Sequence, residues 1–284
     1  MSTTGSGPSH RTAKNELRQV RVPLTAGEPV ELTLAEAGEG RPFLLLHGGG
    51  GPLTVEPFAE QFAADPRSQA RVLTPTHPGF NGTARPDGLD SVAKLARLYV
   101  ALLEELDLAD VTVVGNSVGG WIAAEMAIID SPLVSRYVIV DGVGTELPGH
   151  PVVDFFSLTP AEVAERAYHD PERYGIDPTK LPPEAQRAMA GNRDALAVYG
   201  GTTMSDPSLA GRLGTVTKPT LVVWGAADRI ADSEYGRALA GAIPGARFEL
   251  LAETGHLPQI ETPEALIRVL WEFADRLLTG KPAS

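Results

Sequence analysis

Gly115-Asn116-Ser117-Val118-Gly119 sits between the apolar run Val111-Thr112-Val113-Val114 and the apolar stretch Trp121-Ile122-Ala123-Ala124-Glu125-Met126-Ala127. A β-branched run, a sharp glycine-flanked turn and a helix-compatible stretch form the setting of a Gly-x-Ser-x-Gly corner, where the serine is strained and its hydroxyl exposed. A Cβ at Gly115 or Gly119 would collide with the neighbouring strand and helix as that corner tightens, and Gly120 gives further room. Five residues alone recur by chance in a chain with 30 glycines. The flanking strand and helix give this instance its weight and make Ser117 the candidate nucleophile.

Working outward, the same alternation of strand and helix recurs. Gln19 to Leu24 and Val30 to Ala35 alternate apolar and polar residues across Gly27, which predicts an antiparallel hairpin with one wet face. Pro42 to Leu46 is continuously apolar, as a strand buried on both faces would be, and ends in His47-Gly48-Gly49-Gly50-Gly51. A helix is expected from Val55 to Ala64, a strand from Ala70 to Thr74, and a Pro/Gly-rich loop from Pro75 to Thr83 that carries His77. Ser91 is placed to cap a helix from Val92 to Leu106, whose Leu95, Leu98, Leu102, Leu103 and Leu106 make a core stripe. Beyond the Ser117 unit come a strand at Tyr137 to Val140, a strand at Thr220 to Trp224, a helix around Ser233 to Ala242, a strand at Arg247 to Leu251 and a last helix from Pro263 to Leu278. This pattern predicts a mainly parallel sheet with helices on both faces.

The alternation breaks between about Thr145 and Gly211, where prolines punctuate short helical windows such as Pro160 to Tyr168 and Pro183 to Met189. The expected organisation is a disordered tail over residues 1–18, a core of residues 19–144 and 212–284, and a helical cap of residues 145–211 over the sheet edge. Among cap residues, Phe155, Phe156, Tyr168, Met189, Tyr199 and Met204 are candidates for an apolar pocket lining, and Trp121 opens the helix after Ser117.

Composition excludes several function classes. Thirty-six acidic against 24 basic residues give a formal charge of -12, which disfavours nucleic acid and anionic membranes as partners. The absence of cysteine removes disulfides, thiolate metal sites and thiol nucleophiles. The N-terminus lacks an apolar signal core and no run approaches the ~18 apolar residues of a membrane span, so a cytoplasmic monomer or homodimer acting on a small molecule is expected. The six histidines, at 10, 47, 77, 150, 169 and 256, show no paired ligand spacing, and glycines 48 to 51 lack the Lys-Ser/Thr ending of a phosphate loop. No metal or cofactor is expected.

A serine hydroxyl near neutral pH needs a base, and an imidazole base needs a carboxylate to fix its tautomer. Asp228 lies just past the strand ending at Trp224, and His256 just past the strand ending at Leu251. Side chains at the carboxyl ends of parallel strands converge on one sheet edge, so Ser117, Asp228 and His256 can meet there. Rate should fall on acidification as such a base takes up a proton. Asp232 and Asp141 are the nearby substitutes for the acid, and His47 reads as a prop for its glycine loop.

His47 to Gly51, Pro78-Gly79-Phe80, Gly115 to Gly120, Trp224 to Asp228 and Gly255 to Glu261 together resemble the α/β-hydrolase superfamily over almost the whole chain. The resemblance implies a serine-nucleophile hydrolase with the chain order Ser117, Asp228, His256, and an oxyanion hole from the backbone N–H groups of Gly49, with Gly50 as the other candidate, and Val118. It also makes Asp141 a position from which some relatives supply the acid. Gly48, Gly50, Asn116 and Leu257 join Phe155, Phe156 and Tyr199 as pocket candidates. The expected substrate is a small or medium apolar ester or lactone. Asn116 resembles the Gly-Asn-Ser-x-Gly-Gly form of hydrolases that split carbon–carbon bonds of ring-cleavage products, but Leu257 stands where those often carry tryptophan, and Thr76 where many relatives carry aspartate. The same machinery is also compatible with a cofactor-free perhydrolase, and the same pocket with a non-catalytic ligand-binding receptor.

Overall fold

The computed structural model describes residues 16–24, 28–67 and 69–279. Eight strands make one sheet: β1 (Glu16–Val22), β2 (Val30–Ala37), β3 (Arg41–Leu46), β4 (Ala70–Pro75), β5 (Val111–Asn116), β6 (Val134–Val140), β7 (Thr220–Gly225) and β8 (Arg247–Leu251). Their spatial order is β1-β2-β4-β3-β5-β6-β7-β8. β1 and β2, and β2 and β4, pair antiparallel, and every other neighbouring pair is parallel.

The middle strands are apolar on both faces because both faces are covered. Along β3, Phe43 and Leu45 enter one core with α1 (Glu56–Ala64) and the C-terminal helix, while Leu44 and Leu46 enter the other with α2 (Val92–Glu105) and α3 (Val118–Ile129). Phe58 and Phe62 of α1 are buried, each stabilising the fold by about 2–3 kcal/mol through the apolar area removed from water. Residues 118 to 127 of α3 are all buried, and the carboxylate of Glu125 among them is met bidentately by Arg212 at 2.7 Å.

The expected hairpin is present, with its turn, residues 25–27, outside the described residues. β1 opens at Glu16, inside the stretch expected to be tail, because the ladder continues to Glu16↔Glu36 and Arg18 bonds Glu36 at 3.1 Å. Residues 1–15 lie outside the described residues. Ser91 occupies the position before α2, but its side chain makes no capping bond.

Between β6 and β7 the chain carries a helical insertion: α4 (Pro160–Ala167), α5 (Pro171–Tyr174), α6 (Pro183–Gly200) and α7 (Leu209–Leu213). Two-residue strands, Gly144–Thr145 and Ser205–Asp206, pair at its neck. Thr159 and Glu162 form a reciprocal capping box at the start of α4. α6 runs eleven residues past the expected Met189. Gly191-Asn192-Arg193-Asp194 looks like a break, yet Asn192, Ala195, Leu196 and Tyr199 recur on one buried helix face, and that packing outweighs the weak local propensity. The chain then resumes with β7, α8 (Ser233–Ala242), β8, α9 (Pro258–Glu261) and α10 (Pro263–Thr279). No helix among the described residues is long and apolar enough to cross a membrane.

Because the chain goes from β3 outward to β4 and then crosses back over β3 to β5, the connections diverge between β3 and β5. Such a switch point opens a crevice at the carboxyl ends of the strands. His47 follows β3, His77 follows β4, Ser117 follows β5, Asp141 follows β6, Asp228 lies past β7 and His256 past β8.

Candidate active site

Ser117 joins β5 to α3 with φ 57° and ψ −118°, a backbone conformation that costs on the order of 1–3 kcal/mol outside glycine. Backbone bonds hold it there: Ser117 N–H donates to Val140 O at 3.0 Å, and its carbonyl accepts from Trp121 N–H at 3.2 Å and Val143 N–H at 3.3 Å. A Cβ on Gly115 would lie 2.0 Å from the carbonyl oxygen of Gly119, and one on Gly119 would lie 2.2 Å from that of Leu46. The corner therefore closes only with glycine at both positions. The N–H of Val118 opens α3, where first-turn N–H groups lack intrahelical acceptors and the helix dipole favours negative charge.

His256 Nδ1 lies 2.8 Å from Asp228 Oδ2, and both residues are buried, 6 % and 4 % exposed. A carboxylate only accepts, so Nδ1 carries the proton, and in the neutral ring Nε2 has the lone pair. The other Asp228 oxygen accepts from Ile230 N–H at 2.8 Å and Ala231 N–H at 3.3 Å. A Cβ on Gly225 would lie 2.0 Å from the Gly255 carbonyl, so glycine there is what lets the acid loop touch the histidine loop. His256 N–H donates to Ala167 O of the insertion at 2.7 Å, and its carbonyl accepts from Asn116 Nδ2 at 3.0 Å. Asn116 Nδ2 also reaches Val140 O, and its Oδ1 accepts from Gln259 Nε2 at 3.0 Å. The amide expected to line the pocket is thus spent on bracing the histidine loop against the serine corner.

Gly48 approaches the same corner, since a Cβ on it would lie 3.1 Å from Ser117 Cβ. Two imidazoles in close contact hold this loop, His47 and His77, with ring centroids 3.6 Å apart and planes tilted by 30°. His47 Nδ1 donates to Gly48 O at 2.8 Å and its Nε2 accepts from His77 N–H at 3.0 Å; His77 Nε2 donates to His47 O at 2.9 Å, and its Nδ1 accepts from the Tyr99 hydroxyl. Every ring nitrogen is used in the neutral form. Burial holds His47 well below the ordinary histidine range and pushes His77 down to about 4. The prop reading of His47 is what the structure shows, and His77 shares the role.

The insertion grips both halves of this site. On α6, Leu196 packs where a Cβ on Gly49 would be, 2.8 Å away, and Asn192 donates to Gly50 O at 3.2 Å while accepting from Asn81 N–H at 2.7 Å. The Tyr199 hydroxyl donates to Pro78 O at 2.8 Å. On the other side, the Glu261 carboxylate accepts from Gly255 N–H at 2.6 Å, His169 N–H at 2.8 Å and Asp170 N–H at 3.2 Å. Leu257 packs with Ala167, Tyr168 and Ile230. The rings of Phe155 and Phe156 flank the Arg193 guanidinium, which donates to both their carbonyls.

Asp141, fully buried, accepts from Gly225 N–H at 2.8 Å. One oxygen each of Asp141 and Asp228 and one nitrogen of His256 lie within 4.8 Å of one another, the one grouping of metal-ligand types found among the described residues. The Asp228–His256 bond runs within this grouping.

Residues 43–269 match the family model described as "Alpha/beta hydrolase family". The chain is 30% identical over 267 residues, 84% of its own length and 89% of the relative's, to the 2-hydroxymuconate semialdehyde hydrolase of Pseudomonas putida. A thermophilic esterase from Thermogutta terrifontis has the same fold, with a TM-score of 0.74 at 22% identity over 92% of this chain and 99% of that one. So does the meta-cleavage product hydrolase from Pseudomonas fluorescens IP01, with a TM-score of 0.66 at 21% identity over 87% of this chain and 95% of that one. With a strained serine between β5 and α3, a histidine bonded to a buried carboxylate, and a family match across most of its length, the chain belongs to the alpha/beta hydrolase family.

Proposed function

We propose that this hydrolase uses Ser117 as nucleophile, His256 as general base and Asp228 as the acid that orients it, through an acyl-enzyme. The observation that carries the reading is the 2.8 Å bond from His256 Nδ1 to Asp228, in a histidine loop braced to Asn116, the residue beside Ser117. In this mechanism the Ser117 oxygen bonds to the carbonyl carbon while His256 Nε2 takes its proton. Negative charge gathers on the carbonyl oxygen, where the N–H groups of Gly49 and Val118 receive it; one donor of this kind is worth roughly 3–4 kcal/mol in comparable enzymes. His256 returns the proton to the leaving alcohol, then activates water, which releases the acid and frees Ser117. The insertion of residues 145–211 serves as the cap, with Phe155 and Phe156 packed against Arg193 of α6.

The substrate class we favour is a small or medium apolar ester or lactone. The 30% identity to a hydrolase of a ring-cleavage product, together with Gly-Asn-Ser-x-Gly-Gly at residues 115–120, favours carbon–carbon hydrolysis as a second reading on the same machinery. The test is hydrolysis of p-nitrophenyl esters of increasing acyl length and of a 2-hydroxy-6-oxo-dienoate, by wild type and Ser117→Ala side by side. Removing the nucleophile should cost roughly a millionfold in kcat. Ester turnover lost in the variant supports the first reading, and dienoate turnover alone supports the second. Equal activity in both proteins would sink the Ser117 mechanism.

A further inference from the structure

Asp141 has two oxygens in different situations. Oδ1 accepts from Gly225 N–H, whereas Oδ2 is buried and meets no N–H or O–H donor. Another carboxyl group lies beside it: one oxygen of Asp228 is within 4.8 Å of one oxygen of Asp141. Two carboxylates cannot share a hydrogen bond without a proton between them, and two adjacent buried anions repel strongly. The ionisable groups around Asp141 are Asp228 and His256 in the cluster, with Glu261 adding further negative potential. Asp228 is the better place for charge, since it has two backbone N–H donors and the His256 Nδ1–H. Asp141 has one backbone donor and no exposure.

We propose that Asp141 is a positioning residue: it is held as a neutral carboxylic acid whose O–H donates to Asp228, fixing the rotamer of that carboxylate and moderating its pull on His256. The protein thus carries acids after both β6 and β7, ionised in one and protonated in the other. Burial and the Asp228 charge both raise Asp141 above the ordinary carboxylate range. Protonated, it offers the same donor and acceptor pattern as asparagine.

Two measurements on Asp141→Asn test this, and the first does not depend on Ser117 being the nucleophile. Folding of the wild type takes up a proton that folding of the variant does not, because the unfolded aspartate is ionised. The ratio of the two folding equilibrium constants, from urea unfolding between pH 5.5 and 7.5, should therefore shift in favour of the variant as pH rises, by as much as about tenfold per pH unit wherever folded Asp141 keeps its proton. A flat ratio would mean that Asp141 is ionised and overturn the proposal. The second is the pH profile of kcat/KM on the best substrate. The introduced amide can donate to Asp228 as the acid does, so the rate should stay within about threefold and the acidic limb unmoved. A limb displaced to lower pH would show that a negative charge had been removed, again overturning it. Asp141→Leu removes the donor and should lose at least tenfold in kcat/KM, with the limb displaced upward as Asp228 holds the imidazolium more strongly. Wild-type behaviour in that variant would refute the positioning role; if it fails to fold, both Asp141→Asn measurements still decide.

Discussion

The two halves of the site are built from opposite materials. The glycine-loop side is held by uncharged partners, His47, His77, Tyr99 and Asn192, each bonded through N–H, O–H or amide groups. The histidine side is held by carboxyl groups, Asp141, Asp228 and Glu261. In the proposed reaction a neutral hydroxyl and a neutral imidazole become an oxyanion on the first side and an imidazolium on the second. A preorganised site works by placing fixed dipoles and charges where transition-state charge develops. Acids belong beside the imidazolium, and Asp141, Asp228 and Glu261 all lie on the side of His256.

Removing the charge on the histidine side should have the largest effect. Asp228→Asn keeps the shape but lets His256 adopt the wrong tautomer, and kcat should fall about ten-thousandfold. On the glycine side, His77→Phe keeps an aromatic ring against His47 and strips both nitrogens. That leaves the Tyr99 hydroxyl and His47 carbonyl unpaired, at about 1–3 kcal/mol each, and kcat should drop between tenfold and a hundredfold. The drop should be insensitive to pH above 7, since no charge is lost; a marked pH dependence there would break the contrast.

The two sides should also respond to acid with opposite sign. A histidine titrating at about 4 in the fold and near 6.5 unfolded binds its proton more readily when unfolded. Stability from His77 is complete above pH 6.5 and is lost as pH falls through that value toward 4, roughly 2 kcal/mol between pH 7.5 and 5. Asp141 acts in reverse: its folded proton affinity is raised, so its contribution is complete below the ordinary carboxylate range and erodes as pH rises above it. Below about pH 6.5 the two contributions oppose each other, and Asp141→Asn should steepen the rise of stability with pH there, a difference read by unfolding at several pH values. Smaller still, Asn192→Ala should cost about tenfold in kcat by freeing Gly50, and Glu261→Gln a few-fold by loosening Gly255. If Glu261→Gln matched Asp228→Asn, the acid would have been misassigned.

Much of this is readable from residue pattern. The Ser117 corner, the strands with apolar residues on both faces and the break in the strand–helix alternation after β6 depend on local signals: glycine spacing, continuous apolar runs and proline. The supporting groups are less visible because their partners are remote in sequence. Nothing near Asn192 announces that its amide meets Gly50 and Asn81 more than a hundred residues away. Asn116 reads as a pocket residue because it neighbours the serine, whereas its hydrogen bonds turn it toward Gln259 and the His256 carbonyl. His77 is an ordinary loop histidine until Tyr99, on a different element, supplies its donor. A lone acid at 141 likewise gives no sign of its protonation state, which is set by the absence of a second donor and the presence of a second acid.

The bond from His256 N–H to the carbonyl of Ala167, with Asn192 gripping Gly50 across the site, bears on how this enzyme could be remodelled. Exchanging residues 145–211 for the corresponding segment of a relative would be the obvious way to transplant substrate preference. Here the exchanged segment is also a jig for the loops of Gly50 and His256. A chimera that preserves the carbonyl of Ala167 and the amide of Asn192 in space should trade one preference for another, while one that omits them should bind its new substrate and turn it over slowly.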